Sequence, residues 1–184
     1  IGIIAGYFRG VIDEILMRLI DVLLAFPSII LALVIIGALG PGMINTIVAI
    51  SLVGWLFYAR VARATTLSIR EKEYIEGARA MGCSDGYICL RYVLPNCLPP
   101  IIVLMTLNLG SVILSIAALG YLGLGAQPPT PEWGSMLNEG REYLRDCPWL
   151  CVFPGLMIML AVLAFNFIGD GLRDAIDPRQ MVIK

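Results

Sequence analysis

Three long stretches without a charged residue divide the chain, at residues 22–59, 92–131 and 147–169. A helix that crosses a bilayer needs about 20 predominantly apolar residues. The first stretch has room for two such helices because Gly40-Pro41-Gly42 interrupts it, and each of the others holds one. The pattern therefore predicts four complete membrane spans, at about 22–39, 44–61, 97–119 and 149–167.

Two further features belong to this pattern. Pro27 lies inside the first predicted span and predicts a kink there, because proline has no backbone N–H to donate. Residues 1–8 are apolar, begin without an initiator methionine and carry no signal-peptide charge pattern. We expect them to be the tail of an earlier span, and the chain to lack its N-terminal part.

The composition excludes a soluble domain. Hydrophobic residues make up 59% of the 184 residues, the mean hydropathy is +0.86, and only 15% of the residues are charged. A soluble domain of this length needs more polar surface to cover its core. We therefore expect an all-α fold, a polytopic bundle of transmembrane helices.

The distribution of charge predicts how the chain crosses the membrane. The segment between residues 59 and 92 carries six cations, at Arg60, Arg63, Arg70, Lys72, Arg79 and Arg91. The segment 120–148 carries two cations and four acidic residues. Since cytoplasmic loops carry an excess of Lys and Arg, the loop 68–96 is predicted to be cytoplasmic and the loop 120–148 external. Alternation then places residues 9–21 and 170–184 in the cytoplasm.

Several kinds of site are excluded by what the sequence lacks. It has no histidine, so neither a histidine-based catalytic dyad nor a conventional zinc site is expected. Its two lysines, Lys72 and Lys184, do not follow a glycine-rich phosphate-binding loop, so no P-loop binds ATP. The five cysteines are interpreted as small apolar residues, with a Cys147–Cys151 disulfide left open as the alternative. No catalytic residue and no metal ligand is assigned.

The predicted cytoplasmic loop contains a helix signal. Residues 68–81 are good helix formers with acidic residues in the first turns. Tyr74, Ala78 and Met81 follow helical spacing and predict one apolar stripe. Gly82 stands where a residue of left-handed conformation would end the helix.

A second short helix is predicted after Gly82. Ser84 or Asp85 can cap its start, and Pro95 is expected to stop it. The loop is too polar to insert into a membrane and too apolar for a plain linker. On these grounds it either folds back onto its own helix ends or protrudes as a docking element.

The spacing of the loop resembles a known motif. Glu76, Ala78, Gly82 and Leu94-Pro95 match the EAA loop, E-A-A-x3-G-x9-I-x-L-P, of binding-protein-dependent ABC importer permeases. Gly77 replaces the first Ala of that motif, and Tyr92 replaces its Ile. The likeness to the dipeptide/oligopeptide/nickel permeases, closest to their second-subunit type, extends over residues 13–18, 21–27, 119–125, 127–134, 165–166 and 169–174.

The resemblance implies a role for the loop. In that family a short coupling helix of the EAA loop docks in a groove of the cytoplasmic ATPase. The docking residues carried over to this chain are Tyr74, Glu76, Gly77, Ala78, Arg79, Met81, Gly82, Leu94 and Pro95. Tyr74, Ala78 and Met81 would fill the groove, and Arg79 and the nearby glutamates would form its charged rim.

The resemblance also implies an assembly. The expected fold is that of a MetI-like type I ABC importer, in the inner or plasma membrane of a bacterium or archaeon. The expected partners are a second permease subunit in a heterodimer, two ATPase subunits, an extracytoplasmic substrate-binding protein and the lipid bilayer, with no nucleic acid. The chain is expected to be non-catalytic and to bind no cofactor, since ATP and magnesium would be held by the ATPase.

The transport path is predicted from one polar stripe. Asn108, Ser111 and Ser115 share a face of the span 97–119. A polar stripe within a bilayer faces either protein or water. These residues either bond neighbouring helices together or line the path.

The external loop offers a second candidate contact. After the stiff segment 128–131, residues 132–146 can form an amphipathic helix. It either lies on the membrane interface or contacts the binding protein, the latter supported by resemblance alone. The candidate contact residues are Pro128, Pro129, Glu132 and Trp133.

Two classes of function remain at this stage. A transport subunit that needs an ATPase and a binding protein is favoured over a stand-alone secondary carrier or channel. An ion-driven carrier is expected to show ionisable residues within its spans or paired inverted repeats, and the sequence shows neither. Peptides are favoured as cargo, with nickel or a nickel chelate as the alternative.

Overall fold

The computed structural model describes residues 1–176, so the end of the predicted cytoplasmic segment 170–184 lies outside the described residues. The described part contains helices and no β-strand, which confirms the all-α prediction. The helices are α1 (Gly2–Phe8), α2 (Gly10–Leu24), α3 (Ser28–Leu39), α4 (Met43–Arg70), α5 (Glu73–Ala80), α6 (Asp85–Ile88), α7 (Leu94–Tyr121), α8 (Trp133–Gly140) and α9 (Trp149–Ile176).

Within residues 1–176, three helices are long and apolar enough to cross a membrane, namely α4, the continuous run Asp85–Tyr121, and α9. A fourth span is added if α2 and α3 are counted together as one bent span. The predicted ranges 44–61, 97–119 and 149–167 lie inside these three helices.

The first predicted span, 22–39, is not one kinked helix. Helix α2 ends at Leu24 and α3 begins at Ser28, with Pro27 directly before it. The carbonyl of Pro27 accepts the first backbone bonds of α3, from Ile30 and Leu31. A proline at this position costs the helix no hydrogen bond, because the first N–H groups of a helix have no partner within it. The prediction of a single helix kinked at Pro27 was therefore wrong in form, because the bend is a break between two helices, with Pro27 directly before the second.

The prediction that Pro95 stops the second loop helix is also wrong. The chain continues helically from Asp85 to Tyr121, through a wide π-helical turn at Cys89–Val93. In this turn the Leu94 N–H donates to the Cys89 carbonyl, five residues back. The side chain of Asn96 donates to the Tyr92 carbonyl at 2.7 Å. A wide turn and a side-chain donor at this place let the helix accommodate a residue that has no N–H.

The chain forms two compact units, the first of which comprises residues 1–26 and 54–102. Helix α1 approaches α4 closely, since a Cβ added at Gly6 would lie 2.8 Å from the Arg63 carbonyl oxygen. Helix α2 is paired with α4 by charge, because Asp13 accepts two bonds from Arg63 at 2.5 and 2.6 Å. This guanidinium lowers the pKa of the Asp13 carboxyl from its ordinary value.

Two further ion pairs lie in this unit: Asp21 of α2 pairs with Arg60 of α4, and Arg9, directly after α1, pairs with Glu71, directly after α4. Both are exposed, so each contributes roughly 0–1 kcal/mol. The Asp13–Arg63 pair is different because the Asp13 side chain is only 13% exposed. Removing one partner there would leave a poorly solvated charge, which costs more than the pair itself contributes.

Among the described residues, the second unit comprises 27–53 and 103–176. Its core consists of Ala32, Ile36, Ala49, Val53 and Leu119, from α3, α4 and α7. A buried polar contact ties the start of α4 to the chain after α7. The Thr46 hydroxyl lies 3.0 Å from the carbonyls of both Gly42 and Leu124, and the Gly42 N–H donates to Leu124.

Glycines allow the helices of the second unit to touch backbone to backbone. A Cβ added at Gly134 of α8 would overlap the Ala117 carbonyl of α7. One added at Gly169 of α9 would lie 2.8 Å from Leu107 of α7. These glycines are buried, and their helices can approach α7 only because no side chain separates them.

We expect Gly134→Ala to destabilise the protein and Gly155→Ala to leave its stability unchanged or raise it. The new methyl group at position 134 meets a rigid backbone, and overpacking of this kind costs about 1–3 kcal/mol. At position 155 of α9 nothing lies within 4 Å, and alanine favours a helix over glycine by about 1 kcal/mol. Thermal unfolding of the purified variants in detergent measures both effects. Equal midpoints for the two variants would contradict this packing.

Candidate functional site

The candidate coupling loop is built on two short helices joined by a tight corner. Helix α5 ends in a Schellman motif, in which Cys83 N–H donates to Ala78 O and Gly82 N–H donates to Arg79 O. Gly82 has a φ of +81°, so the prediction of a left-handed residue at this position is confirmed. Ser84 then caps α6 by accepting from the Tyr87 N–H at 3.4 Å, which confirms the first of the two predicted caps.

The predicted single helix over 68–81 is wrong in one respect, because it is broken between α4 and α5. Lys72 has an extended backbone, with φ −82° and ψ 140°, and α5 begins after it. The break allows Ile69 of α4 and Ile75 of α5 to reach the same buried cluster. A continuous helix would place these two residues, six positions apart, on faces that differ in direction by about 120°.

The buried cluster fixes which face of α5 is hidden. Ile75, Ala78 and Ile88 are at most 1% exposed and pack with Val93 and Tyr7. Ala78 was predicted to fill a groove on a partner, and this position corrects that expectation. Its methyl group is committed to the core of this chain, so the stripe of Tyr74, Ala78 and Met81 is not one free face.

Tyr7 of α1 lies at the centre of this cluster and was missed by the sequence reasoning. Its side chain is buried, and its hydroxyl donates to Asp85 Oδ1 at 2.6 Å. The guanidinium groups of Arg79 and Arg70 lie 5.1 and 5.9 Å from its ring centroid. A buried tyrosine needs a partner for its hydroxyl, but no local signal relates position 7 to position 85. Arg79, predicted as a rim charge, is thus also part of the loop's internal packing.

Four large apolar side chains of the loop are exposed to solvent. Tyr74 is 44% exposed and Met81 76% exposed. Tyr87 and Leu90 are exposed beside them. Tyr92 lies between the other two tyrosines, with ring centroids 6.3 Å from Tyr74 and 6.1 Å from Tyr87. We refer to Tyr74, Met81, Tyr87 and Leu90 as the exposed loop face.

The remaining predicted docking residues differ in their exposure. Glu76, Gly77 and Gly82 are exposed, and nothing lies within 4 Å of a Cβ added at either glycine. Leu94 is half-buried at the start of α7, and Pro95 is exposed next to it.

The predicted polar stripe lines an open cleft in the second unit. Asn108, Ser111 and Ser115 of α7 all border this cleft, whose volume is about 180 Å³. Ser28, at the start of α3, adds a polar residue that the sequence reasoning did not select. Ser28 was not selected because it lies directly after Pro27, inside the range 22–39 that was predicted to be one apolar span. The Ser115 hydroxyl donates to the Ser111 carbonyl of the same helix at 2.8 Å.

The segment predicted to be external has glycines packed around Glu132. Glu132 caps α8 by accepting from the Gly134 and Ser135 N–H groups, both at 2.8 Å. A Cβ added at Gly120 would overlap this carboxylate. Glu132 is therefore a structural cap as well as a candidate contact residue.

The other candidate contact residues are exposed. Pro128 and Pro129 lie on the surface, and Trp133 is 40% exposed. Trp133 also borders an apolar cleft of about 470 Å³ with Met43 and Met136. The predicted helix over 132–146 is shorter than expected, with α8 followed by a 3-10 turn at Arg141–Tyr143.

Comparison with known proteins decides the family. Residues 1–182 match the family described as "Binding-protein-dependent transport system inner membrane component". The chain belongs to this family. The predicted resemblance to importer permeases is confirmed, and the chain is a multi-pass membrane protein.

Its relatives in this family include named peptide permeases. The chain is 50% identical over 180 residues to the dipeptide transport system permease protein DppC of Alkalihalophilus pseudofirmus. It is 47% identical over 179 residues to the glutathione transport system permease protein GsiD of Pectobacterium atrosepticum. These alignments cover 98% and 97% of the chain but 59% and 60% of the relatives. The chain thus spans about three fifths of the length of the curated relatives it matches.

The fold is that of a solved transporter structure. The chain is similar to a structure titled "Inward facing conformations of the MetNI methionine ABC transporter", with a TM-score of 0.72 and 23% identity. The superposition covers 96% of this chain and 84% of the other. This likeness confirms the predicted type I importer fold.

We expect Gly82→Ala to destabilise helix α5 and Gly77→Ala to stabilise it. A side chain in the left-handed region at position 82 costs about 1–2 kcal/mol. Gly77 lies within α5 with open space around it, so alanine there should favour the helix by up to about 1 kcal/mol. Hydrogen exchange of the α5 amides measures both changes. Slower exchange in Gly82→Ala than in the unmodified protein would contradict the Schellman ending.

Proposed function

We propose that this chain is a permease subunit of an ATP-driven importer that receives its cargo from a separate binding protein. It would form half of the translocation path and couple to an ATPase through the loop 68–96. The observation that carries this proposal is the exposed loop face, an apolar surface held on a buried core within a chain of this family. Exposed apolar side chains in a loop that is predicted to lie outside the membrane favour an interaction site.

The energy source in this proposal is a partner chain. The sequence offers no P-loop, so ATP and magnesium would be bound by two ATPase subunits and no cofactor by this chain. A second permease subunit would complete the path, and the assembly would lie in the inner or plasma membrane of a bacterium or archaeon. The family description, which names a binding protein and the inner membrane, supports these expectations.

The docking surface differs from the one expected from sequence. Met81 and Tyr74 project from the loop, whereas Ala78 is buried. We propose that Met81 and Tyr74 fill apolar depressions on the ATPase, and that Glu73 and Glu76 form the charged rim. Flexible methionine and rigid aromatic side chains are both suited to such contacts.

The loop would transmit motion because its inner side is packed. When the ATPase pair closes on ATP, the loop moves with it, and the attached helices α4 and α7 follow. Alternating access is a two-state change of this kind, biased by nucleotide and by the loaded binding protein. The external residues Pro128, Pro129, Glu132 and Trp133 are proposed to contact the binding protein.

The proposed cargo is a peptide. Two relatives are named as dipeptide and glutathione permeases, and this favours peptides over nickel or its chelates. The stretches 22–59, 92–131 and 147–169 offer no charged side chain to hold a cargo, so selectivity would reside mainly in the binding protein. The same lack of ionisable residues argues against a stand-alone ion-driven carrier.

We expect Met81→Glu to release the ATPase without preventing membrane insertion. Met81 is 76% exposed and makes little contribution to the core, whereas a central interface residue contributes about 2 kcal/mol or more to binding. The amount of ATPase that co-purifies with the chain should therefore fall about thirtyfold.

The matched control is Met136→Glu on α8, where the methionine is 42% exposed in the predicted external segment. This variant should retain the ATPase. Full recovery of the ATPase with the Met81→Glu variant would contradict the proposed docking surface.

We expect Ser111→Trp to abolish uptake and Ser111→Ala to preserve it. Ser111 borders the cleft of about 180 Å³, which an indole group would obstruct. Alanine removes only the hydroxyl. Uptake by reconstituted vesicles separates the two, with co-purified ATPase as the check on assembly. Unimpaired uptake by Ser111→Trp would exclude this cleft from the path.

A further inference from the structure

Tyr7 has a role that packing alone does not explain. A phenylalanine would fill the same space among Ile75, Ala78 and Ile88. The hydroxyl adds polar contacts, of which the bond to Asp85 Oδ1 measures 2.6 Å. Since the acceptor is a carboxylate, this bond is of the strong, charge-assisted kind.

The geometry places this bond where two separate parts of the chain meet. Asp85 begins α6, directly after the cap residue Ser84, and Tyr7 is one residue from the end of α1. Their positions in the sequence differ by 78 residues. Arg79, from α5, lies over the tyrosine ring, so one side chain of α1 contacts both loop helices.

Helix α1 is in turn fixed to α4. Cβ atoms added at Gly2 or Gly6 would collide with the backbone of α4, at Ala59 and Arg63. At the same end of α1 as Tyr7, Arg9 pairs with Glu71 at 2.7 Å, next to the break before α5. This second tie is exposed and therefore weak.

We propose that Tyr7 is a positioning residue that fastens α1 to the coupling loop, so that α1, α5 and α6 move as one body. The proposal rests on the proposed function, in which the ATPase displaces this loop. With the hydroxyl bond in place, displacement of the loop reaches α1 directly and α4 through the packing of α1. Without it, α6 can shift against α1 while the apolar core remains filled.

The test uses the complete transporter with its ATPase and binding protein, reconstituted in vesicles or nanodiscs. Tyr7→Phe keeps the ring and removes the hydroxyl, and with it the bond to Asp85. We expect the ATPase to remain bound and its ATP hydrolysis to continue, while cargo imported per ATP falls about tenfold. Hydrogen exchange of the α6 amides should accelerate by about tenfold, as for loss of a charge-assisted hydrogen bond.

Two further variants separate fastening from packing. Asp85→Ala should reproduce the effects of Tyr7→Phe, and the double variant should be no worse than either single one, because all three lack the same bond. Tyr121→Phe, at an exposed tyrosine at the end of α7, is the matched control and should behave as the unmodified protein.

The outcomes distinguish this proposal from the one on which it rests. Unchanged import per ATP and unchanged exchange in Tyr7→Phe would overturn the fastening role while leaving the importer function intact. Failure of the unmodified chain to retain any ATPase would overturn the importer function and this role together.

Discussion

The close approach of helix backbones at glycine is the contact on which the packing of this chain depends. Lipid tails are as apolar as the side chains of the helices, so the hydrophobic effect does not drive helices together within a membrane. They associate through van der Waals contact and hydrogen bonds instead. Gly2 and Gly6 place α1 directly on α4, and Gly134 places α8 directly on α7. Both units therefore contain helix pairs that approach closely at glycine.

Charge pairing is the second constraint, and it is concentrated in the first unit. Asp13 and Arg63 pair at an interface between α2 and α4, where the carboxylate is almost removed from water. Such a pair contributes little net stability but makes any arrangement that separates the charges costly. It therefore specifies how α2 lies on α4 more than it strengthens the fold. The exposed pair of Arg9 and Glu71 has no comparable influence.

Local signals in the sequence predicted local structure well. Gly82 and Ser84 were assigned correctly because helix endings depend on the conformation and hydrogen bonding of one or two residues. The errors arose where the structure is determined by contacts between residues that are distant in the sequence. Pro95 fits a helix because of the wide turn before it, and Ala78 is buried because of Tyr7, 71 positions earlier in the sequence. Helical spacing identified the polar stripe along α7 but could not reveal that α3 borders the same cleft.

Helix α5 of the candidate coupling loop is stabilised by burial and not by helix propensity. Gly77 replaces an alanine of the family motif, which costs an isolated helix up to about 1 kcal/mol. Ile75 and Ala78 flank it and are almost completely enclosed, and burial of one isoleucine side chain alone stabilises by about 1.5–3 kcal/mol. Burial therefore stabilises α5 by more than the glycine destabilises it, and the helix remains ordered. Because this burial rests on Ile75 and Ala78, Met81 and the exposed part of Tyr74, whose ring also contacts Tyr92, can be offered to a partner without loss of the fold.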